Sequence, residues 1–183
     1  METKIKDLEI EVRSKVLLFV VLTANLTRYI GVSIIQIGLP QFVLDLSGTL
    51  ISYGLVIGIF NITQSLFQFP FSSLSDKYGR RTMVLIGLLI YIAGTFLCYI
   101  ANSILELLIY RAIQGAGAYS SILQAVVGDM YKRDEQGKGM ALYSLTISLG
   151  YFAGTAIGGY VAFYLGFRSI FLITGLLAII TAI

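Results

Sequence analysis

Long apolar runs, separated by short polar or charged segments, dominate the pattern along the chain. A membrane-crossing helix needs about 20 mostly apolar residues, and six runs approach or exceed that length. We predict transmembrane helices at residues 16–39, 50–74, 83–100, 104–127, 140–165 and 169–183. The connections are short, so we predict an all-α membrane protein with a six-helix domain at 16–183, preceded by a charged segment at 1–15.

The last apolar run, at 169–183, is shorter than the roughly 17–25 residues that a crossing requires. A chain that stops inside a bilayer favours the interpretation that these helices are half of something larger. The alternative is a complete, small six-helix protein whose last helix is frayed.

The composition supports a membrane protein and argues against an enzyme. Hydrophobic residues make up 57% of the chain and charged residues 13%, against about 25% charged residues in soluble domains. The chain has no histidine and one cysteine, Cys98, so it lacks the commonest metal ligand and cannot form a disulfide framework. It also lacks paired buried carboxylates and an activated nucleophile. We predict no metal, no cofactor, no nucleic-acid partner and no enzymatic activity.

Lysine and arginine predict the orientation, because they concentrate on the cytoplasmic side of membrane proteins. Between the predicted helices, Arg168 is the one basic residue on the opposite side. The other basic residues outside the predicted helices all fall on the side of the N-terminus, namely Lys4, Lys6, Arg13, Lys15, Lys77, Arg80, Arg81, Lys132, Arg133 and Lys138. We therefore expect a multi-pass protein of the plasma membrane with a cytoplasmic N-terminus.

Polar side chains recur at helical spacing inside three of the predicted spans. Such residues are costly in lipid and usually face the bundle interior or a water-filled path. We predict a substrate path lined by Asn25, Arg28, Asn61, Gln64, Arg111 and Gln114. The alternative for the amides is a structural role, since interhelical hydrogen bonds in membranes contribute about 0.6 kcal/mol each.

The two arginines within the spans demand a partner. A guanidinium at mid-span costs about 2.5–3.5 kcal/mol even on an insertion scale. Arg111 begins near one end of its helix and can reach towards the interface, whereas Arg28 lies near the middle of its run. Arg28 therefore needs an anion, a cluster of carbonyl groups or water.

Glycines in the fifth run recur at four-residue spacing in "LGYFAGTAIGGYVA". A smooth glycine face lets another helix approach closely. We predict a helix-packing face formed by Gly150, Gly154, Gly158 and Gly159.

Several separated motifs together resemble the N-terminal six-helix half of the major facilitator superfamily. The turn "SSLSDKYGRR" resembles that family's cytoplasmic signature, with Ser72 where the signature begins with glycine. "RAIQGAGAYS" resembles its Arg-x-x-Gln-Gly motif, and "GYFAGTAIGG" resembles its antiporter motif, with Thr155 in place of proline. "LGFRSIF" resembles an outer turn of the family, with Phe167 in place of tryptophan. The resemblance implies a 3+3 inverted repeat, in which the last three spans repeat the first three upside down.

The resemblance also implies that the charged turn is a conformational latch. Asp76 can accept hydrogen bonds at the positive N-terminal end of a neighbouring helix, and Arg80 can bridge Asp76 to Asp129. Gly79 permits the sharp turn, and Arg81 completes the motif. The alternative is that the turn only anchors the chain at the cytoplasmic face.

The expected function is that of a secondary active transporter that works by alternating access. The motifs favour proton-coupled efflux of drug-like molecules or metabolites. Uptake or facilitated diffusion of sugars, metabolites or organic anions is the alternative, and a non-transporting six-helix membrane module is a further one. The expected partners are a small-molecule substrate, protons, the lipid bilayer and a second six-helix half. That half is a continuation of the same chain, a separate chain or a second copy.

Overall fold

Helices joined by short connections make up the computed structural model, which describes the backbone of residues 2–182 and the side chains of residues 15–181. No strand occurs in the described backbone, as the apolar runs predict. The helices are α1 (Glu2–Asp45), α2 (Leu50–Tyr78), α3 (Arg80–Ile100), α4 (Ile104–Ala116), α5 (Ser120–Met130), α6 (Gln136–Leu165) and α7 (Ser169–Ala182).

Within the described residues, four helices are each long and apolar enough to cross a membrane, judged by length and composition. They are α1 from Lys15 onwards, α2, α3 and α6, while α7 is apolar but shorter. Helices α4 and α5 together cover the predicted fourth span. From Glu2 onwards, the charged segment predicted at 1–15 forms the first part of α1. The side chains up to residue 14 lie outside the part of the chain that the structure describes.

Helix α1 continues to Asp45, so the predicted end at residue 39 is wrong. Pro40 lies inside the helix even though it cannot donate a backbone hydrogen bond. Phe42 and Val43 beyond the proline are buried in the core, and the Phe42 ring packs edge-on against Phe171 of α7 at 5.6 Å. This tertiary packing holds the last turns of α1 in place.

The fourth span is not one helix, which corrects the prediction of a continuous run at 104–127. Residues 117–119 separate α4 from α5, and Gly117 has φ −73° and ψ 56°. The Ala118 N–H donates to the Ala116 carbonyl and the Tyr119 N–H to the Gly117 carbonyl, both at 2.9 Å. These contacts, two residues apart, are those of inverse γ-turns.

The break allows α4 to approach α3 very closely. A β-carbon at Gly117 would collide with the Gly87 carbonyl oxygen and the Tyr91 amide nitrogen. At Gly94 on α3, a β-carbon would collide with the backbone of Gln114. Glycine is therefore required on both sides of this contact.

The six predicted spans divide into two triplets, the first three and the last three. The first helix of each triplet packs mainly against helices of the other triplet. Helix α1 packs chiefly against α6 and α7, and α4 packs chiefly against α2 and α3. The turns that precede the third span of each triplet both contain a glycine with positive φ, namely Gly79 at 90° and Gly166 at 84°. This exchange is the arrangement expected of the predicted 3+3 inverted repeat.

The glycine face of α6 forms its contact with α1. β-Carbons at Gly150, Gly154 and Gly158 would meet Tyr29, Ile30 and Ile34 respectively. Gly159 does not belong to this face, because it is exposed and a β-carbon there would meet nothing within 4 Å. The predicted packing role for Gly159 is therefore wrong within this chain.

Candidate functional site

A chain of buried hydrogen bonds connects α4 to α3 at the middle of the bundle. Arg111 Nη1 donates to Gln114 Oε1 at 2.6 Å, and Gln114 Nε2 donates to Thr95 Oγ1 at 2.7 Å. Thr95 Oγ1 in turn donates to the Tyr91 carbonyl oxygen at 2.7 Å. Arg111 is 4% exposed and Gln114 is fully buried, so these bonds are shielded from solvent.

A small cleft between α1, α2, α3 and α4 borders this network. The residues that line it, referred to here as the central cleft, are Val32, Ile35, Gln36, Ile57, Phe60, Asn61, Tyr91 and Arg111. The Arg111 guanidinium lies 4.3 Å from the centre of the Phe60 ring, within cation–π range. Its Nε is buried without a hydrogen-bond partner.

A second arginine lies behind a pair of tyrosines. Arg28 is 6% exposed, and its guanidinium carbon lies 5.0 Å from the Tyr29 ring and 5.5 Å from the Tyr119 ring. The Tyr119 ring packs edge-on against Tyr91 at 6.0 Å, and Tyr91 lines the central cleft. The Arg28 Nε and the Tyr91 hydroxyl are both buried without a partner.

The remaining predicted path residues occupy different environments. Asn25 is buried and joins α1 to α6, donating from Nδ2 to Thr146 Oγ1 at 2.8 Å and to the Tyr143 carbonyl at 3.4 Å. Gln64 is half-buried and donates weakly to Ser120 Oγ at 3.5 Å, where α5 begins. Of the six predicted residues, Asn61 and Arg111 line the cleft and Gln114 lies directly behind it.

Three members of the site escaped the sequence analysis. Thr95 occurs in an otherwise apolar run, and Tyr91 lies one turn before it on the same helix face. Tyr119 lies in the break between α4 and α5. The signal that could have indicated the first two is their four-residue spacing, which places a hydroxyl and a phenol on one face of α3.

The charged turn between α2 and α3 is joined to the end of α5. Arg80 Nη2 lies 2.6 Å from Asp129 Oδ2 and 3.6 Å from Asp76 Oδ1. Gly79, with φ 90°, ends α2 and begins α3, and Arg81 is exposed. Among the contacts of residues 15–181, Asp76 makes this ion pair and not the expected hydrogen bond to a helix N-terminus. We refer to Asp76, Arg80 and Asp129 as the charged cluster.

A separate ion pair lies at the start of α6, between Lys138 in its first turn and Glu135 directly before it. Lys138 Nζ donates to Glu135 Oε1 at 2.7 Å. This hydrogen bond from the ammonium group lowers the pKa of Glu135 below its ordinary value. The Lys138 side chain is exposed and that of Glu135 is partly exposed, and the pair is not part of the site.

An arginine at the opposite end of the bundle ties the α6–α7 turn to two other helices. Arg168 Nη1 donates to the Tyr99 carbonyl at 3.2 Å, and Nη2 donates to Asn102 Oδ1 at 3.1 Å. The guanidinium also lies 5.5 Å from the Phe42 ring, near the end of α1. Each end of the bundle thus has an arginine that crosses between the two triplets.

No metal-binding group was found in the part of the chain that the structure describes. Within those residues, no three His, Cys, Asp or Glu side chains are grouped in a way that could hold an ion.

Comparison with known proteins gives a consistent picture. The family model of the Major Facilitator Superfamily matches residues 21–183. An uncharacterized transporter of Buchnera aphidicola is 32% identical over 155 residues, which cover 84% of this chain and 40% of the relative. The inner membrane transport protein YajR of Escherichia coli is 30% identical over 125 residues, which cover 68% of this chain and 28% of that protein.

A solved structure shows the same fold. It is a bacterial homologue of the human lysosomal transporter Spinster in an inward-facing, unoccupied conformation, with a TM-score of 0.77 and 17% identity. The match covers 92% of this chain and 42% of that chain. This chain therefore spans less than half the length of the relatives it matches. By its sequence, its six spans and their packing, the chain belongs to the Major Facilitator Superfamily.

Proposed function

We propose that this chain forms one half of a secondary transporter that moves a small molecule across a membrane by alternating access. The observation that carries the proposal is the central cleft, where Arg111 is buried at mid-bundle with one nitrogen unpartnered. Burying an unpaired polar group is costly unless it serves a purpose. The cleft has a volume of about 20 Å³, which is room for about one water molecule, so it must widen before a substrate can contact Arg111.

The cleft combines polar and aromatic groups in a way that suits small amphipathic molecules. Asn61 and Gln36 offer amide donors and acceptors, while Phe60 and Tyr91 offer ring faces. Small-molecule sites are typically apolar with a few well-placed polar groups. We therefore expect drug-like molecules or metabolites as substrates.

Movement between two states is supported by the contacts at the two ends of the bundle. The charged cluster and the Arg168 contacts are partly exposed and polar, so they can break and re-form without loss of the core. We propose that the charged cluster acts as a latch that stabilises one state. The distribution of lysine and arginine supports a cytoplasmic location for this cluster and for the N-terminus.

The second half would cover the exposed polar stripe of α2. Asn61, Ser65 and Gln68 are exposed on that helix, and polar side chains facing lipid would be costly. A six-helix partner on this side would enclose the central cleft between two halves.

Efflux in exchange for protons is the proposed mode of coupling, supported by the resemblance of the α6 glycines to the antiporter motif. An arginine keeps its proton at physiological pH, so Arg111 and Arg28 cannot carry it. Within residues 15–181 no Asp or Glu lies at mid-span. The proton carrier is therefore expected on the second half.

Flux into everted membrane vesicles tests the proposal. Vesicles from cells that express the full gene would be energised with a proton gradient and given ethidium, chloramphenicol or fluorescein, which are cationic, neutral and anionic respectively. We expect accumulation of at least one compound, collapse of the gradient to abolish it, and Arg111→Ala to reduce it at least tenfold.

Lys77→Ala is the matched control, because Lys77 is an exposed charge remote from the cleft, and it should retain flux. Accumulation only in right-side-out vesicles would identify an uptake porter. Absence of flux in both vesicle orientations would favour a non-transporting membrane module.

A further inference from the structure

Two polar atoms of the residues around the central cleft are buried without a hydrogen-bond partner among the described residues. They are Arg111 Nε and the hydroxyl oxygen of Tyr91. Both residues line the cleft, and they are 4% and 2% exposed respectively. A buried polar group that makes no hydrogen bond is costly, and more so when it carries a charge.

The partner of these two atoms has to lie inside the packing of α1 to α4. Helices of this chain already shield both atoms, and any further part of the protein can only bury them more. A side chain from elsewhere in the protein therefore cannot contact them while these helices keep this packing. The partner must be a small molecule or ion that the cleft itself encloses.

The size of the cleft limits what it can hold. Its volume is about 20 Å³. A cavity needs about 10–15 Å³ to hold one water molecule, so the cleft has room for one water and not for an organic molecule.

The polar groups that line the cleft match the hydrogen bonds of a water molecule. A buried water typically makes about three hydrogen bonds. Arg111 Nε can donate to the water oxygen, and the Tyr91 hydroxyl can either donate or accept. Asn61 and Gln36 also line the cleft, and each amide offers both donors and an acceptor. The lining therefore supplies enough partners to hold one water in place.

We propose that the central cleft binds one ordered water molecule, which accepts a hydrogen bond from Arg111 Nε and bonds to the Tyr91 hydroxyl. The guanidinium is then held on two sides, by the water at Nε and by Gln114 at Nη1. This inference goes beyond the proposed transport function and does not depend on it. If the transport function is correct, a substrate that reaches Arg111 displaces this water.

A chloride ion is the other occupant of about this size. Chloride only accepts hydrogen bonds, so it would use the donors of the lining and leave the amide oxygens unused. A water molecule donates as well as accepts, and it can use both. Water is therefore the better match, and the experiment below separates the two.

Removal of the Tyr91 hydroxyl tests the proposal by the sign of a stability change. Tyr91→Phe keeps the ring and its edge-on contact with Tyr119. If the hydroxyl bonds to a bound water, we expect the purified full-length protein to melt about 2 °C lower in Tyr91→Phe than in the wild type. If the hydroxyl has no partner, its removal relieves an unsatisfied buried group. An unchanged or higher melting temperature would therefore overturn the proposal.

Tyr143→Phe is the matched reference, because its hydroxyl donates to the Ser120 carbonyl at 3.1 Å. It should lower the melting temperature by a similar amount. Replacement of chloride by gluconate in the buffer should leave the melting temperature of the wild type unchanged. A loss of stability without chloride in the wild type but not in Tyr91→Phe would identify a bound ion and overturn the water.

X-ray radiolysis of the full-length protein gives a second readout, because radicals formed from a bound water label the side chain that the water contacts. Tyr91 and Phe42 are 2% and 1% exposed, so both are shielded from bulk solvent, but Phe42 lies in the apolar core. Corrected for the reactivity of the free amino acids, we expect Tyr91 to be labelled at least fivefold more than Phe42. Equal labelling of the two residues would overturn the proposal.

Discussion

Arg80 Nη2 lies 2.6 Å from Asp129 Oδ2, which joins the first turn of α3 to the last turn of α5. The contact crosses between the two triplets of spans at the end of the bundle where the charged turn lies. Arg80 is 31% exposed at its side chain and Asp129 is 63% exposed. A partly exposed ion pair of this kind contributes about 1 kcal/mol or less to stability. Under the proposed alternating access, the role of this ion pair is therefore in the balance between two states.

Exchanging the charges of this pair should restore what each single change removes. We expect Arg80→Asp and Asp129→Arg each to reduce flux several-fold, because like charges then face each other across the two triplets. The double variant should recover much of the flux, which a double-mutant cycle would quantify. Arg81→Asp alters an exposed neighbour and should show no rescue by Asp129→Arg. Additive losses in the double variant would contradict a direct role for the pair.

Replacing Gly154 of α6 with a larger residue should destabilise the bundle, whereas the same replacement at Gly159 should not. A β-carbon at Gly154 would lie 2.8 Å from Ser33 Cβ and would collide with the Ile30 carbonyl oxygen. Overpacking usually costs about 1–3 kcal/mol, so Gly154→Leu should lower the melting temperature and the yield of folded protein. Gly159→Leu faces open space and should melt as the wild type does, measured in the same detergent. Equal melting of the two variants would contradict the close α1–α6 contact.

Removing the side-chain amide of Gln114, which links Arg111 to Thr95, should destabilise the protein more than removing the hydroxyl of Thr95. Thr95→Val leaves the neutral Gln114 Nε2 without its acceptor, which costs about 1–3 kcal/mol, whereas Gln114→Leu leaves the charged Arg111 Nη1 without its acceptor, which costs more. Thermal denaturation would rank the variants. Thr27→Val removes a hydroxyl that bonds only within its own helix and is the matched control. A greater loss in Thr27→Val than in Gln114→Leu would contradict the network.

Adding a methyl group at the break in the fourth span should force α3 and α4 apart. In Gly117→Ala the new β-carbon would lie 2.6 Å from the Tyr91 amide nitrogen, a backbone atom that cannot move alone. We expect a lower melting temperature and a reduced flux, since Tyr91 lines the central cleft. Gly128→Ala is the control, because its β-carbon would meet only the flexible end of Met140 at 3.4 Å. Wild-type flux and stability in Gly117→Ala would show that the close contact is not needed.

The length of the apolar runs was enough to predict the order and approximate position of the helices. The break at Gly117 could not be predicted, because the run around it stays apolar and glycine also occurs within unbroken membrane helices such as α6. It depends on the close approach of Gly87 and Tyr91 from α3, a tertiary contact with no local signal. The end of α1 was missed for a similar reason, since packing outweighed the effect of Pro40.

The candidate site was predicted in part for equally physical reasons. Arg28, Arg111 and Gln114 stand out because charged and amide groups are costly in lipid. Tyr91 and Thr95 are tolerated in any membrane helix, so only the structure distinguishes them from their neighbours. Gly159 fits the spacing of its neighbours, but it lies just past the edge of the contact face, where α1 no longer reaches.

Pro40 affects how easily the C-terminal end of α1 can bend. Because proline cannot donate to the Gln36 carbonyl, α1 lacks one backbone hydrogen bond at this turn and resists bending less there. Phe42 lies beyond that point and is packed against Phe171, the third residue of α7. Bending at Pro40 would therefore move the end of α1 and the beginning of α7 together, next to the central cleft that Gln36 lines.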